Sequence, residues 1–157
     1  MIVKTARFGE ITIEPDAVIT FAQPIIGFAS QLQYLLLPGP TQGPVKWLQS
    51  VDTPDLAFLV VDPRALVPDY KVVLSAVELT ELGAGSVEEL EVYTLLVVPE
   101  DPALVRTNLR APIVVHPKRR LARQVVLDQP DYPIQFFLAQ AKKGTEARES
   151  SHARADA

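Results

Sequence analysis

The chain has 157 residues, no Cys and 15 Lys and Arg against 19 Asp and Glu, which makes the formal charge −4. One domain of this length can bury a sizeable core, and the lack of Cys excludes a disulfide framework, a thiolate zinc site and a cysteine nucleophile. The N-terminal sequence has no signal-peptide pattern, and the longest apolar run, 56–61, is far too short to span a bilayer. We therefore expect a soluble, cytoplasmic protein without a membrane partner.

Fourteen prolines divide the chain into short segments, because a proline inside a helix costs about 3 kcal/mol. Between the prolines lie short runs rich in Val, Ile, Leu and Phe, which are typical of buried strands. The predicted strands are 2–7, 10–14, 17–21, 33–37, 46–51, 57–61, 70–74, 89–98, 112–116 and 122–127. Turns rich in Pro and Asp separate them. The pattern predicts a mainly β domain.

One short helix is predicted near 75–82. Ser75 and Glu78 have the spacing of a capping box, and Gly83 supplies a helix stop. After Leu138 the only apolar side chains are alanines, which cannot anchor a segment in a core. We therefore predict one domain at 1–138 and a flexible tail at 139–157 that is disordered or weakly helical.

Charge is distributed unevenly along the chain. Residues 50–105 contain eleven acidic and two basic side chains, whereas 106–123 contain six basic and no acidic ones. Solvated loops and sheet rims of opposite sign would explain this pattern. An acidic face that docks a basic partner or repels nucleic acid is the alternative explanation.

Catalytic chemistry finds little support. The only histidines are His116 and His152, and the chain has neither G-x-x-x-x-G-K-[ST] nor G-x-G-x-x-G. Adjacent carboxylates on a strand point to opposite faces rather than at one substrate. We expect no enzyme activity, no cofactor and no metal. An enzyme built around His116 remains an alternative and would require a pocket with a carboxylate partner for this side chain.

Direct RNA binding is a second alternative. The hairpin predicted around 118–123 carries Lys118, Arg119, Arg120 and Arg123, which could contact RNA phosphates in a small β-barrel. Against this, the net charge is negative and most aromatic residues lie within apolar runs. Trp47, for example, is assigned to the core on these grounds, together with Phe58. No direct nucleic-acid contact is therefore expected.

The order of the segments resembles the flagellar assembly factor FliW family over nearly the whole chain up to Leu138. The resemblance rests on WLQSV at 47–51, PDY at 68–70, VPEDP at 98–102, NLRAPIVV at 108–115 and QVVL at 124–127, preceded by FGEI at 8–11. This sequence differs from the family pattern at 22–26 and 116–122, where we expect altered turns.

The resemblance implies a compact, antiparallel β-barrel-like protein without enzymatic activity. It also implies that the protein binds flagellin in the cytoplasm and, when flagellin is exported, binds and antagonises the translational regulator CsrA, which relieves repression of flagellin translation. Such partner exchange requires negative coupling between two ligands on one module.

Two groups of residues are candidates for partner contact. The first is the loop that matches the family motif, in which Asn108 has no obvious role in a core; closing a turn through its own side chain is the alternative. The second is an acidic surface that would place negative charge near the RNA-binding surface of CsrA. The loop comprises Thr107, Asn108, Leu109, Arg110, Ala111 and Pro112, and the acidic residues are Asp62, Asp69, Glu100 and Asp101.

Overall fold

The computed structural model describes residues 1–40, 43–128 and 131–139. Its strands are β1 (Ile2–Thr5), β2 (Gly9–Thr12), β3 (Ile19–Gln23), β4 (Gln33–Pro38), β5 (Val45–Ser50), β6 (Ala57–Val61), β7 (Glu91–Val97), β8 (Arg106–Thr107), β9 (Ile113–His116), β10 (Leu121–Gln124) and β11 (Phe136–Phe137). The helix α1 spans Ala76–Glu81, and single 3₁₀ turns occupy Pro15–Ala17, Pro63–Ala65, Val87–Glu89 and Pro102–Leu104. No helix in this part of the chain is long and apolar enough to cross a membrane.

Seven strands close into a barrel in the order β3-β4-β5-β6-β7-β9-β10. The pairing of β10 with β3 completes the ring and is parallel, whereas the other pairings in the ring are antiparallel. The expected antiparallel barrel is therefore confirmed with one parallel pair. Outside the ring, β1 and β2 form a separate hairpin, and β8 and β11 extend the sheet from the far end of β7.

Two apolar clusters lie on the two sides of β9. Ile113 and Val115 belong to the cluster inside the barrel, while Val114 belongs to the second cluster outside it. All four residues of β9 are buried, so this strand is covered on both faces, as its continuous apolar sequence predicts. The segment 70–90, including α1, covers the outer face of the strand.

Helix α1 agrees closely with its sequence signals. The Ser75 hydroxyl accepts from the Glu78 N–H at 3.1 Å, and the Glu78 carboxylate accepts from the Ser75 N–H at 2.8 Å. At the other end, Gly83 has φ +66° and the Ala84 N–H bonds to the Leu79 carbonyl. With the bond from the Gly83 N–H to the Thr80 carbonyl, this is a Schellman ending.

Several sequence predictions need correction. The segment 70–74 is not a ladder strand, although Tyr70 and Val72 are buried and Val73 is exposed, as in a strand with one covered face. Strands β8 and β11 were not predicted, because pairing in two-residue strands is set by tertiary contacts. The predicted tail, apart from Ala139, lies outside the described residues, so the boundary at 138 stays a prediction.

The assignment of Trp47 to the core is wrong. Trp47 is only partly buried, while its neighbour Leu48 is 1% exposed and packs inside the barrel. Because side chains alternate along a strand, Trp47 lies on the outer face, where the Phe8 ring meets it edge-on at 6.3 Å and the Arg7 guanidinium lies 4.0 Å from its centroid. Phe58 is partly buried and packs against the barrel cluster.

Candidate partner-binding site

Most of the loop 107–112 is turned inward. The Thr107 hydroxyl bonds to the Thr94 hydroxyl at 2.7 Å and to the Leu95 carbonyl at 2.6 Å, and Leu109 belongs to the outer apolar cluster. Ala111 and Pro112 are buried as well. The half-buried side chains of this loop are those of Asn108 and Arg110. The buried residues therefore set the loop's shape.

Asn108 and Arg110 are held in a fixed relation by local bonds. The Asn108 Oδ1 accepts from the Arg110 N–H at 2.9 Å, which closes an Asx turn. The Arg110 Nε donates to the Tyr132 carbonyl at 2.9 Å. Asn108 therefore closes a turn, and this role does not consume its amide donor.

Two tyrosines, Tyr70 and Tyr132, support the same loop. The Tyr70 hydroxyl donates to the Leu109 carbonyl at 2.5 Å, and the rings of Tyr70 and Tyr132 lie 4.5 Å apart. Burial, with a smaller contribution from Tyr132, raises the pKa of Tyr70 far above its ordinary value, so its hydroxyl stays a donor across the physiological range. The PDY motif thus positions the NLR motif.

Among the four acidic residues, Asp62 lies apart from Glu100 and Asp101 along β7. Asp62 follows Val61, which pairs with Thr94 at the middle of β7, so Asp62 lies beside the first half of that antiparallel strand. Glu100 and Asp101 come after the end of β7. Asp62 and Asp101 each cap a 3₁₀ turn: their Oδ1 atoms accept from the N–H two residues on, both at 3.0 Å. Asp62 also pairs with Arg64 at 3.3 Å, and Asp69 is exposed.

The basic hairpin is largely engaged within the molecule. The Arg119 side chain lies over Gly83 at the end of α1. Arg120 donates from its guanidinium to the Ala17 carbonyl at 2.9 Å and to the Pro117 carbonyl at 3.1 Å, and Arg123 forms ion pairs with the carboxylates of α1. Lys118 and Arg119 are exposed. The RNA-binding alternative needs all four charges to face solvent, and it is disfavoured because Arg120 and Arg123 are engaged within the molecule.

His116 is tied into the same hairpin. Its side chain is only 7% exposed, and its Nδ1 accepts from the N–H groups of Lys118 and Arg119 at 3.3 and 3.2 Å. The Nε2 atom lies 3.5 Å from the Glu89 Oε1. The Nδ1 atom therefore closes the hairpin turn, and the Nε2 atom faces a carboxylate of the 3₁₀ turn Val87–Glu89. The enzyme alternative required such a carboxylate, but the burial of the ring and the use of Nδ1 in the turn disfavour a general base here. Within the described residues, no group of three or more His, Asp or Glu is arranged to hold a metal ion.

Comparison with known proteins identifies the family. The FliW protein family model matches residues 2–138. The chain belongs to the FliW family. It is 37% identical over 139 residues to the flagellar assembly factor FliW of Ruminiclostridium cellulolyticum, covering 88% of this chain and 94% of that protein. The FliW of Geobacter sulfurreducens is 39% identical over 132 residues, with 84% and 82% coverage.

The fold agrees with this assignment. A crystal structure of the flagellar assembly factor FliW superposes with a TM-score of 0.80 at 31% identity, covering 88% of this chain and 96% of the other. The departures from the FliW pattern are accommodated locally. Gly27 adopts φ +93° after the altered segment 22–26, and Phe28 packs edge-on against Phe58 at 5.0 Å. In the late hairpin, Arg120 adopts φ +56°.

Sequence reasoning overlooked a groove beside α1, between residues 73–75 and 126–128. Both walls contain adjacent valines, Val72-Val73 and Val125-Val126, and in an extended segment two neighbouring side chains point to opposite faces, so one of each pair lies outside. Val73 and Val126 are 64% and 63% exposed. These valines were interpreted as parts of buried strands.

Proposed function

We propose that this protein binds flagellin in the cytoplasm and, when flagellin is exported, binds and antagonises CsrA, so that flagellin translation is no longer repressed. Membership of the FliW family of flagellar assembly factors is the observation that carries the proposal. The protein acts by binding alone, without catalysis and without direct contact to nucleic acid or membrane.

The mechanism is partner exchange. A module whose affinity for CsrA falls when flagellin is bound reports the amount of unexported flagellin. The change in CsrA affinity must be matched by an equal change in flagellin affinity when CsrA is bound, because the coupling free energy is reciprocal. A useful switch needs a coupling of about 1–3 kcal/mol, which corresponds to roughly 5–150-fold.

Within the loop 107–112, the proposed contacts are the side chains of Asn108 and Arg110. The Asx turn presents the Asn108 amide donor in one orientation, and the bond to the Tyr132 carbonyl restrains the Arg110 guanidinium. A preorganised pair of donors loses little conformational entropy on binding. Thr107, Leu109, Ala111 and Pro112 contribute by supporting the loop.

The acidic residues are proposed to act through their field. Carboxylates near bound CsrA would raise the cost of bringing RNA phosphates to the complex. Asp62 lies beside the first half of β7, and Glu100 and Asp101 lie beyond its end. The electrostatic fields of these two groups therefore cover different regions of the protein surface, each extending about 10 Å at ordinary salt. RNA titration of the complex at increasing salt tests this mechanism. Antagonism that does not weaken at high salt excludes it.

Calorimetric titration with purified CsrA and, separately, with purified flagellin tests the function. Binding to both with mutual displacement is the expected result. Binding to flagellin alone would leave flagellin binding without translational control. Binding to neither protein would overturn the proposal, and salt-sensitive RNA binding by the isolated protein would then favour the RNA-binding alternative.

Two substitutions separate the two roles of Asn108. Asn108→Asp keeps the oxygen that closes the Asx turn but removes the amide donor, whereas Asn108→Ala removes both. If the amide contacts a partner, both variants lose partner affinity while remaining folded. If Asn108 only closes the turn, Asn108→Asp retains affinity and the residue is excluded from the contact. Circular dichroism and urea unfolding serve as the folding control.

A further inference from the structure

An open groove runs beside α1 between two extended segments of the chain. Its volume is about 550 Å³. We call it the edge groove. It is lined by Val73, Leu74, Ser75, Glu78, Val126, Leu127 and Asp128. None of these residues belongs to the loop or to the acidic surface discussed above.

The first wall of the edge groove, 125–127, follows β10 directly as an extended segment with one unpaired edge. The N–H groups of Val125 and Leu127 bond to the carbonyls of Pro112 and Arg110 at 2.9 and 2.7 Å. This alternate bonding shows that the segment is extended, so the N–H and C=O of Val126 point to the opposite edge. Within the described residues, no hydrogen bond uses either backbone group of Val126.

The second wall is extended as well, and its backbone is also unpaired. Burial alternates along it, with Val72 buried, Val73 exposed and Leu74 half-buried. Among the described residues, the N–H and C=O groups of 72–74 have no hydrogen-bond partner. The edge groove therefore lies between two chain segments that both offer free backbone donors and acceptors.

The edge groove also exposes valines that are rigidly supported. Val73, Val77 and Val126 are 64%, 70% and 63% exposed at or beside it. The residues that alternate with them, such as Val72 and Leu127, are anchored in the outer apolar cluster. The outer apolar cluster therefore fixes the position of both walls. Their exposed valines remain in contact with water until a ligand covers them, so covering them is favourable through the hydrophobic effect.

The charge of the edge groove selects its occupant. Glu78 and Asp128 line it, and no lysine or arginine does so among the described residues. Glu78 is occupied by the capping box and lies 3.9 Å from Arg123. The exposed Asp128 has no ion pair in the described part of the chain. An extended ligand in the groove would therefore be favoured if it carried a basic side chain next to Asp128.

We propose that the edge groove binds an extended peptide segment of a partner protein, with apolar side chains at alternate positions and a basic side chain near one end. The peptide backbone bonds to the free edge at Val126, its apolar side chains cover Val73 and Val126, and its cation pairs with Asp128. Recognition of this kind takes affinity from the backbone and specificity from alternate side chains.

The test uses the acetylated peptide Lys-Val-Thr-Val-Thr-Val-Lys as the probe, labelled for fluorescence polarisation against the full chain. Three comparison peptides separate the contributions: one with Glu in place of Lys, one with N-methyl groups on alternate residues, and one with Thr in place of every Val. We expect saturable binding of the probe below about 1 mM, with each comparison peptide at least about tenfold weaker. No binding of the probe in that range overturns the proposal.

Protein variants locate the binding. Val126→Lys and Asp128→Asn alter exposed positions and should each weaken the probe at least about fivefold while leaving urea unfolding unchanged. The matched control is Val98→Lys, at a position 56% exposed beyond the end of β7, which should bind the probe like the unmodified protein. Equal weakening by Val98→Lys, or none by Val126→Lys, refutes the site.

Amide hydrogen exchange distinguishes strand addition from nonspecific adsorption, which would not change the exchange rate of one particular backbone N–H. The bound probe should slow exchange of the Val126 N–H, because that group gains a hydrogen-bond partner. Unchanged exchange at Val126 under saturating probe contradicts strand addition even if the probe binds. These measurements are independent of flagellin and CsrA, so the failure of either proposal leaves the other intact.

Discussion

Substituting Gly83 with alanine tests the ending of α1 and the position of Arg119 together. Gly83 has φ +66°, a conformation that disfavours any residue with a Cβ by about 1–2 kcal/mol. A Cβ built there would lie 2.4 Å from the Arg119 Cδ and 2.9 Å from its Nε. Real Cβ contacts do not come that close, so the arginine must move away.

The expected loss of unfolding free energy is about 2 kcal/mol. The backbone contributes about 1 kcal/mol, because the lower entropy of an unfolded chain with alanine offsets part of the strain. Moving Arg119 contributes about 1 kcal/mol more, since the side chain loses its packing on α1 and its favourable position at the helix C-terminus. In an Arg119→Ala background only the first contribution remains, so Gly83→Ala should cost about 1 kcal/mol there.

A double-mutant cycle measured by urea unfolding provides the assay. The four proteins are the unmodified chain, Gly83→Ala, Arg119→Ala and the double variant. The coupling should be about 1 kcal/mol, above the roughly 0.3–0.5 kcal/mol scatter of independent sites. If Gly83→Ala costs the same in both backgrounds, Arg119 does not lie over Gly83. A neutral Gly83→Ala would refute the left-handed conformation itself.

Three further predictions concern stability, all measured by urea unfolding. Leu48→Ala should cost about 2–5 kcal/mol and Trp47→Ala less, because Leu48 is inside the barrel and Trp47 on its outer face; the reverse order would contradict the register of β5. Tyr34→Phe should stabilise by about 1 kcal/mol, since the Tyr34 hydroxyl is buried without a partner among the described residues and burial raises its pKa to about 12. A loss of stability would reveal an unseen partner. Hydrogen bonding from Gln23 and the ion pair with Arg123 lower the pKa of Glu81, so this carboxylate stabilises the fold above its ordinary pKa and ceases to do so as the pH falls. Glu81→Gln should therefore cost less than about 1 kcal/mol at neutral pH and nothing at pH values well below about 4; a cost independent of pH would exclude the ion pair as its cause.

Local sequence signals were reliable where a few neighbouring residues carry the whole interaction. The capping box of Ser75 and Glu78 and the stop at Gly83 predicted α1, because each bond joins residues at most five positions apart. The apolar run at 70–74 predicted an extended, buried segment, and Tyr70 and Val72 are indeed buried while Val73 is exposed. The run did not predict that the segment lacks a paired neighbour, because pairing depends on a partner distant in sequence.

The candidate site shows the same division. The family motif indicated the loop at 107–112, yet only the structure separates Asn108 and Arg110 from the inward residues around them. The bases of the late hairpin were equally visible in the sequence. Their engagement with Ala17, Gly83 and α1 depends on contacts across the fold, which no local pattern contains.

The sequence by itself determined the mainly β character, the short helix with its caps, the positions of the Asp-Pro turns and the resemblance to FliW. These features follow from backbone preferences and hydrogen bonds between near neighbours. Only the tertiary structure decided the closure of the barrel, in which β3 pairs in parallel with β10 from the far end of the chain. It also decided which face of β5 carries Trp47 and which strand edges stay open. Such choices depend on the free energy of many distant contacts forming together, so no single segment of the sequence encodes them.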